Sequence, residues 1–387
     1  MEFPCAAILV NTGGEQNSDF DSTEALISYL DDLFVRRSDL NGRLTSLILT
    51  HPHIDHTRGV KAVIETYKPE NAVTNGQEYG SGKAGQIRLH KYVKKSEENN
   101  NPSDDIPLVA VSKDDFTGTN GLTNKIVDPV ICNDVNPIIT ALWGRVKADP
   151  GWGKEKNGKL KFINNNNHSV VLRIDFGKSS LLIPGDLEEV AIKDILDRYN
   201  GSAMFDVDVY DVGHHGSENG TTEDLLKAIA PEISIISMGP YDREDSWTAW
   251  QYGHPRENTV ALLEKYTSNS RPPVDEMVAT GSKHFKQVNI DKAIYAIGWD
   301  GDIVLEASTD GQWRILKPSL DTSRLNINTA CVEQLIELPG MGQTKAKAIV
   351  EYRTKNGLFN NINQLDNVPG IGPAIIVTIE PLITIGE

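Results

Sequence analysis

The sequence predicts an α/β fold over most of its 387 residues, followed by a small all-α domain. Short apolar runs alternate with helical patterns over the first two-thirds of the chain. Histidines and aspartates cluster after several of these runs, and the tail contains an internal repeat. Because the length exceeds that of one ordinary compact domain, we expect two domains. We place them at residues 1–316 and 324–387, with a linker at 317–323.

Composition and cysteine usage predict a cytoplasmic protein. No apolar run approaches the length of a membrane span, and the start Met1–Cys5 lacks the basic and apolar regions of a signal peptide. Three cysteines, Cys5, Cys132 and Cys331, are odd in number and scattered along the chain. Such a set is neither a disulfide framework nor a Cys-x-x-Cys metal site, so we expect reduced, structural cysteines.

Apolar periodicity and turn residues place the elements of the first domain. Residues 80–166 are less regular, and the polar run at 96–101 is expected to be a solvated loop. The predicted strands are 6–10, 44–50, 169–176, 180–183, 207–212, 233–237, 293–297 and 303–306, the last two closing the domain, and the predicted helices are 23–34, 187–199, 222–229 and 257–266.

Four potential metal ligands stand within six residues directly after the apolar run that ends at Thr50: His51, His53, Asp55 and His56. Alternate residues of an extended segment project to one side, so the first three can converge, and His56 comes from the turn beyond. Imidazole and carboxylate are the mixed ligands that zinc and manganese accept. A strand-end loop needs none of these residues for structural reasons, so the pattern favours a metal site.

Two later segments repeat this arrangement. The apolar run 181–183 leads to Asp186, and the run 207–212 leads to His214 and His215. Each segment alone is weak evidence for a metal site. Asp186 precedes a helical pattern and could be an N-cap, and a pair of histidines is often a surface feature. Together with the first motif, they place ligand types after three strands, where side chains gather at one edge of a sheet.

These three segments resemble the metallo-β-lactamase superfamily, and within it the nuclease-like domain of bacterial competence DNA-uptake channel proteins. The stretches 166–172 and 252–255 strengthen the resemblance, which covers roughly residues 6–310. It implies an αββα sandwich with a two-metal site at one edge. It also implies that His51 and His53 hold one metal, that Asp55 and His56 hold the other, that Asp186 bridges them, and that either His214 or His215 completes the second.

The resemblance leaves three positions open. His168 stands near the place of a further histidine ligand, but it equally suits a turn. His254 either contacts a substrate phosphate or simply precedes an ordinary helix start. Asn11 occupies a position where the family has Asp, and the family's β-hairpin before this loop is largely missing, which leaves the packing of the first sheet uncertain.

Two divalent ions, zinc or manganese, suit the hydrolysis of a phosphoester or an acyl bond, because they supply hydroxide at neutral pH. Asp55 either ligates a metal or orients the water. His254, or whichever of His214 and His215 is not a ligand, could protonate the leaving oxygen. No Walker-type glycine motif is present, so we expect no nucleotide cofactor.

The tail repeats with a period of 30 residues, since 335–342 aligns with 365–372. Glycines in the two turns permit unusual backbone angles and close approach of a phosphate to peptide N–H groups. This pattern resembles the tandem helix-hairpin-helix of the competence DNA receptor and implies DNA binding without sequence specificity. The residues expected to contact DNA are Gly340, Gly342, Lys345, Lys347, Gly370 and Gly372.

The acidic charge of the chain weighs against DNA binding. The whole chain carries a net charge of -16, and residues 321–387 contain five basic and seven acidic residues, a net charge of -2. Bulk electrostatic attraction to nucleic acid is therefore not expected, and contact must depend on local geometry or on bound metal. Helix-hairpin-helix units also serve as protein-interaction modules.

Three functions follow from these patterns. The first is a metal-dependent DNA nuclease or phosphodiesterase whose tail holds DNA. The second is a hydrolase of small phosphodiesters or phosphorylcholine esters, with the tail as a localisation module. The third is a DNA-binding adaptor without catalysis, which an intact ligand set disfavours.

Overall fold

The computed structural model describes residues 1–16, 20–98, 106–316, 325–336 and 338–385. The chain divides into two units, one formed by Met1–Ile27 with Arg36–Ile315 and the other by Ser28–Val35 with Leu316–Glu387. The linker predicted at 317–323 and the end of the polar run, 99–101, lie outside the described residues.

Strands and helices alternate through the first unit, and the tail is mostly helical. In chain order they are β1 (Glu2–Phe3), β2 (Ala6–Val10), α1 (Ser22–Arg36), β3 (Ser46–Ile48), α2 (Ile54–Thr57), α3 (Val60–Thr66), β4 (Ala72–Thr74), α4 (Lys83–Glu98), β5 (Leu108–Ala110), β6 (Ile138–Trp143), β7 (Val171–Phe176), β8 (Ser179–Ile183), α5 (Glu189–Arg198), β9 (Val209–Asp211), α6 (Glu223–Ile229), β10 (Ile233–Ile236), α7 (Ala249–Tyr252), α8 (Glu257–Tyr266), β11 (Ser270–Gly281), β12 (His284–Lys292), β13 (Ile294–Ala296), α9 (Ile297–Asp300), β14 (Val304–Ala307), β15 (Trp313–Leu316), β16 (Leu325–Asn326), α10 (Val332–Ile336), α11 (Gln343–Asn356), α12 (Pro373–Ile379) and β17 (Ile383–Thr384).

Two sheets form the centre of the first unit. One has five strands in the order β1-β2-β3-β4-β5, parallel except for the antiparallel pair β1–β2. The other has six strands in the order β13-β10-β9-β8-β7-β6, parallel from β13 to β8 and antiparallel beyond. An apolar core joins them, with Ile8, Ile48 and Val73 from the first sheet packed among Ala141 and Leu172 from the second.

Helices cover the outer faces of both sheets. Ile192 of α5, Leu225 of α6 and Leu263 of α8 belong to the core on the outer side of the six-stranded sheet. On the other sheet, α4 lies against β4, where the Thr74 hydroxyl and the His90 ring nitrogen are 3.2 Å apart. The architecture is therefore the predicted αββα sandwich with a small helical domain after it.

Some local predictions differ from the structure. The strand predicted at 303–306 is present as β14, but it pairs with β15 in a separate two-stranded sheet. The run 96–101 begins inside α4, which continues to Glu98. The long hairpin of β11 and β12 was missed because few of its residues are buried, so no apolar alternation marks it.

The cysteine prediction is wrong for two of the three residues. Cys5 and Cys132 form a disulfide with a Cα–Cα distance of 5.5 Å across 127 residues of sequence, and Cys331 is not part of this bond. The bond ties the turn between β1 and β2 to the segment that precedes β6. Spacing could not reveal this pair, because only the folded sheets bring the two residues together. Disulfides are rare in reducing compartments.

Within the described ranges, no helix combines the length and the apolarity needed to cross a membrane.

The tail unit contains two hairpins of the same design. The first joins α10 to α11, and the second joins a 3-10 helix at Ile362–Asn367 to α12. Leu335 and Leu365 are both fully buried, as are Ile349 and Ile379, so the 30-residue repeat places equivalent residues in one core. The parallel pair β16–β17 ties the ends of the unit together.

We predict that the disulfide stabilises the first unit against unfolding. Cys5→Ser should lower its free energy of unfolding by about 2–5 kcal/mol, because the cross-link restricts a long loop of the unfolded chain. Guanidinium unfolding with and without reductant measures the effect, and reduced wild-type protein should match the variant. Cys331→Ser is the control, and its unfolding midpoint should equal that of the wild type both with and without reductant, because it keeps the disulfide. Equal unfolding midpoints for oxidised and reduced protein would contradict the prediction.

Candidate metal centre

The histidine and aspartate motifs meet where strands of both sheets end. His51 follows β3 of the five-stranded sheet, whereas Asp186 follows β8 and His215 follows β9 of the six-stranded sheet. His53 is the N-cap of the short helix α2, so Asp55 and His56 lie in its first turn. The ligand types therefore come from three separate strand ends, one from the first sheet and two from the second.

The loop after β2 holds α2 in place. Asn11, at φ 60°, accepts hydrogen bonds from the Thr50 amide (2.9 Å) and hydroxyl (3.1 Å), so it acts as an acceptor at the position where the family has Asp. The Thr12 hydroxyl donates to the His56 carbonyl at 3.2 Å. A Cβ at Gly14 would lie 1.8 Å from the Asp55 Cα, so only glycine fits there.

The donor atoms form two groups that share one carboxylate. His51, His53 and Asp186 make the first, whereas Asp55, His56, Asp186 and His215 make the second, and within each group all donor atoms lie within 4.8 Å of one another. The nearest oxygen of Asp186 is 3.2 Å from His56 Nε2, 3.6 Å from His51 Nε2 and 3.6 Å from His215 Nε2. This is the grouping that the resemblance implies, with His215 rather than His214 in the second group.

A buried, unpaired nitrogen shows that these residues fit a divalent metal ion. His51 Nε2 is buried without a hydrogen-bond partner, although a buried polar atom normally has one. Its position beside the Asp186 carboxylate is the one that a metal ion bound to both would satisfy.

Neighbouring hydroxyl and carbonyl groups orient the imidazole rings. The Thr50 hydroxyl lies 3.2 Å from His51 Nδ1. His215 Nδ1 donates to the Ser237 carbonyl at 2.6 Å, which leaves Nε2 free to face Asp186. At these two rings the supporting partners are therefore uncharged.

The electrostatics of the cluster favour a cation. Burial opposes ionisation of Asp186, but His56 and His215 outweigh it and hold the pKa of this carboxyl well below its ordinary value. Burial likewise opposes a charge on His215, yet Asp186 and Asp55 raise its pKa to about 10. A metal ion bound here would have to displace protons from such rings, so its binding should strengthen as pH rises.

His168 lies apart from the cluster. Its Nδ1 accepts a hydrogen bond from the Val146 amide at 2.8 Å, and its Nε2 donates to the Phe162 carbonyl. Burial lowers the pKa of this histidine to about 4. With both ring nitrogens engaged and the ring neutral, His168 supports the loop before β7, and the structure does not support the metal-ligand role considered for it.

His214 faces a different set of partners from His215. Both residues have positive φ angles, 51° and 54°, which turn their rings in different directions. His214 Nδ1 is 3.0 Å from Asn219 Oδ1 and 3.9 Å from the Glu188 carboxylate. Sequence reasoning missed Glu188, because no spacing rule links it to this histidine.

Glu188 is held by two amides of the preceding asparagine run. Asn164 donates to one carboxylate oxygen at 2.9 Å, and Asn166 donates to the other at 2.8 Å. Asn166 Nδ2 also lies 3.5 Å from His214 Nε2.

His254 lies beside His214 and His215 at the edge of the site. Its ring centre is 6.0 Å from that of His214 and 6.3 Å from that of His215. Burial lowers the pKa of His254 to about 3, so the ring is neutral, and its Nδ1 is buried without a hydrogen-bond partner.

The tail hairpins present open backbone. Gly340 and Gly370 have φ angles of 76° and 84°, and Gly342 and Gly372 are the N-caps of α11 and α12. A Cβ at Gly340, Gly342 or Gly372 would have no other heavy atom within 4 Å. Lys345 donates to the Gly340 carbonyl at 2.7 Å and also passes beside Gly370, so it lies between the two hairpins.

The other cations of the tail differ in accessibility. Lys347 is exposed one turn into α11. Arg353 is buried and donates to the carbonyls of Ile327 and Ala330. Its side chain therefore stabilises the fold of the tail and is not exposed for contact with a ligand.

Comparison with known families agrees with both halves of the structure. Residues 6–123 match the metallo-beta-lactamase superfamily, and residues 321–384 match the helix-hairpin-helix motif. Recombination protein 2 of Haemophilus influenzae is 37% identical over 103 residues, which are 27% of this chain and 11% of that protein. ComE operon protein 3 of Bacillus subtilis is 32% identical over 102 residues, 26% of this chain and 12% of that protein.

Other similarities are shorter or weaker. ComE operon protein 1 of Bacillus subtilis is 43% identical over 61 residues, 16% of this chain and 30% of that protein. The matched segments thus span about a tenth to a third of these relatives. A diphosphatase of the PhnP family aligns over 60% of this chain and 69% of its own, with 11% identity and a TM-score of 0.29, too low to carry an argument.

We predict that Asp186 controls binding at both halves of the centre. Asp186→Ala should weaken binding of zinc and manganese at both sites, by at least the roughly 10–100-fold typical of removing even a residue that only orients a ligand. His51→Ala should weaken metal binding only at the site formed by His51, His53 and Asp186. Elemental analysis and metal titration measure this, and His168→Asn, which keeps an acceptor for Val146, is the matched control. Retention of two tightly bound ions by Asp186→Ala would rule out the shared ligand.

Strand-end ligands in an αββα sandwich, a tail of tandem hairpins and the two family matches all agree. The chain joins a metallo-β-lactamase domain to a carboxy-terminal helix-hairpin-helix domain, and competence proteins are among its relatives.

Proposed function

We propose that this protein is a metal-dependent phosphodiesterase that cleaves DNA and holds it through the tail hairpins. The observation that carries the proposal is the sharing of Asp186 between two donor groups, because a pair of bridged ions suits phosphoryl transfer. The similarity to competence proteins and the open glycine hairpins support DNA as the substrate. The proposed ions are zinc or manganese, since the donors are imidazole and carboxylate.

When bound, two divalent ions supply hydroxide at neutral pH and stabilise charge on the phosphoryl oxygens. Asp55 is the exposed carboxylate of the cluster, so it is the residue best placed to orient the attacking water or to serve as a ligand. His254 offers a neutral ring at the mouth of the site, which suits a hydrogen bond to a substrate phosphate.

His214 is our candidate for the acid that protonates the leaving oxygen. The Glu188 carboxylate lies 3.9 Å from Nδ1 of this ring, and Asn219 Oδ1 lies 3.0 Å from the same nitrogen, so Nδ1 is engaged on the side away from the proposed leaving oxygen. Nε2 is then the nitrogen that can deliver a proton. We favour His214 over His254 for this role, because burial keeps His254 unprotonated.

The cleavage assay tests the proposal directly. Purified protein with manganese or zinc should cleave single- or double-stranded DNA, and His51→Ala and Asp186→Ala should each lower the rate at least about 100-fold, because each removes a metal ligand. His168→Asn should retain the rate. Absence of cleavage, or cleavage that survives both substitutions, would refute the nuclease function.

A hydrolase of small phosphodiesters or phosphorylcholine esters is the second candidate. The net charge of -16 favours it, since an acidic protein repels a polyanion more than a small ester. Turnover of small esters without cleavage of DNA would select this function. A DNA-binding adaptor without catalysis is disfavoured, because both donor groups are intact.

The cellular compartment stays a prediction. Composition suggested the cytoplasm, and the disulfide between Cys5 and Cys132 weighs against it, because such bonds persist mainly in oxidising compartments.

We predict that the first tail hairpin contributes to DNA affinity through its two lysines. Lys345→Ala with Lys347→Ala should weaken DNA binding and reduce the slope of log Kd against log salt by about 1 for each phosphate that the variant no longer neutralises. Fluorescence anisotropy at several salt concentrations measures both quantities. Lys355→Ala is the matched control, because this exposed lysine lies at the far end of α11. An unchanged Kd for the double variant would place DNA binding elsewhere.

A further inference from the structure

A row of aromatic rings leads from the metal centre to the surface. The ring of His254 is 6.3 Å from that of His215 and 6.1 Å from that of Tyr252. The rings of His254 and Tyr252 are nearly parallel, at 15°. Tyr252 in turn lies 6.4 Å from Trp247. Exposure increases outwards, to 43% for Tyr252 and 65% for Trp247. We call Trp247 and Tyr252 the outer rings.

The position of Trp247 is held by specific contacts. This residue has a φ of 68°, a conformation that a bulky side chain rarely adopts, and its amide donates to the side chain of Gln251. Thr248 caps α7 by accepting a hydrogen bond from the Gln251 amide at 3.3 Å. The backbone thus holds a large apolar ring in solvent, although packing would favour burying it.

A cation lies against Trp250, which belongs to the same short helix α7 as Tyr252. The turn of the β11–β12 hairpin packs on α7, where the Lys283 amide donates to the Trp250 carbonyl at 2.9 Å. The ammonium group of Lys283 lies 4.7 Å from the centre of the Trp250 ring. Ser282 also donates to the Gln251 carbonyl. This part of the surface therefore offers exposed aromatic faces together with a positive charge.

We propose that the outer rings are stacking platforms for unpaired nucleobases next to the phosphodiester at the metal centre. This inference rests on the proposed function and narrows it to single-stranded or frayed nucleic acid. A base within a duplex has both faces covered, so it cannot lie on these rings. An unpaired base can, and stacking on an aromatic side chain is worth about 1–3 kcal/mol per base.

Stacking also suits the charge of this protein. Contact through a neutral base does not require a broad basic surface. A chain with a net charge of -16 is not expected to have such a surface. The Lys283 ammonium, against the Trp250 ring, adds one positive charge on α7 that a phosphate could pair with. The other chemistry that aromatic rings recognise is a quaternary ammonium group, as in phosphorylcholine esters, and the test separates the two.

The test compares substrates that differ only in their bases. Wild type, Trp247→Ala, Tyr252→Ala and Trp247→Phe are assayed on a short single-stranded oligonucleotide, the same oligonucleotide with abasic residues, and its duplex. We expect each alanine variant to lower kcat/KM on the single strand at least about 10-fold. Cleavage of the abasic strand should stay nearly unchanged, and Trp247→Phe should restore most of the rate. Metal content should be unaffected throughout.

Binding without metal gives an independent measurement. In EDTA, and in a Lys345→Ala, Lys347→Ala background that weakens the tail, Trp247→Ala should still lower affinity for the single strand. Equal losses on normal and abasic strands, or no loss on either, would overturn the stacking role while leaving the nuclease function intact. A selective loss of glycerophosphocholine turnover in Trp247→Ala would replace the nucleobase with a quaternary ammonium. Failure of wild type to cleave any DNA would instead refute the proposed function.

Discussion

The buried carboxylate of Asp186 is the group on which the arrangement of the metal centre depends. It follows a strand of the six-stranded sheet, and its oxygen lies 3.2 to 3.6 Å from the Nε2 atoms of His56, His51 and His215. Two of these histidines come from the segment after β3 in the other sheet. A single carboxylate therefore links the edges of both layers.

The surrounding backbone is shaped to keep these donors close together. Gly14 has no room for a side chain because it touches the backbone of Asp55, and Asn11 accepts two hydrogen bonds at the residue that precedes His51. His214 and His215 both have left-handed backbone angles, so neighbouring residues serve different purposes. One joins the donor cluster, and the other pairs with Glu188. This division separates metal binding from proton transfer in the mechanism that we propose.

The recognition surfaces that we propose for the two units are of different kinds. In the tail, the glycine turns repeat with the same geometry and leave backbone groups uncovered. Such a surface can bind a phosphate irrespective of the base attached to it. In the first unit, the outer rings expose aromatic faces, which suit a base whatever the phosphate beside it. Neither surface needs a high positive charge. That is consistent with an acidic chain in which Arg353, one of the few cations of the tail, is buried among carbonyl groups.

Local patterns in the sequence determined the fold class, the repeat and most of the ligand types. Three short motifs carry these signals: His51–His56, Gly185–Asp186 and His214–His215. Each motif follows an apolar run, which predicts that it lies at the end of a strand. Likewise, Leu335 with Leu365 and Ile349 with Ile379 mark a repeat because equivalent core positions need equivalent side chains.

Only the tertiary structure decided which of these residues meet. It brings His215 rather than His214 close to Asp186, engages both ring nitrogens of His168 with backbone groups, places Glu188 beside His214, and joins Cys5 to Cys132 across 127 residues. It also showed that Trp247 and Tyr252 lie in line with His254. These relations depend on distances between chain segments far apart in sequence. Such distances are set by how the two sheets pack, and no spacing within the sequence records them.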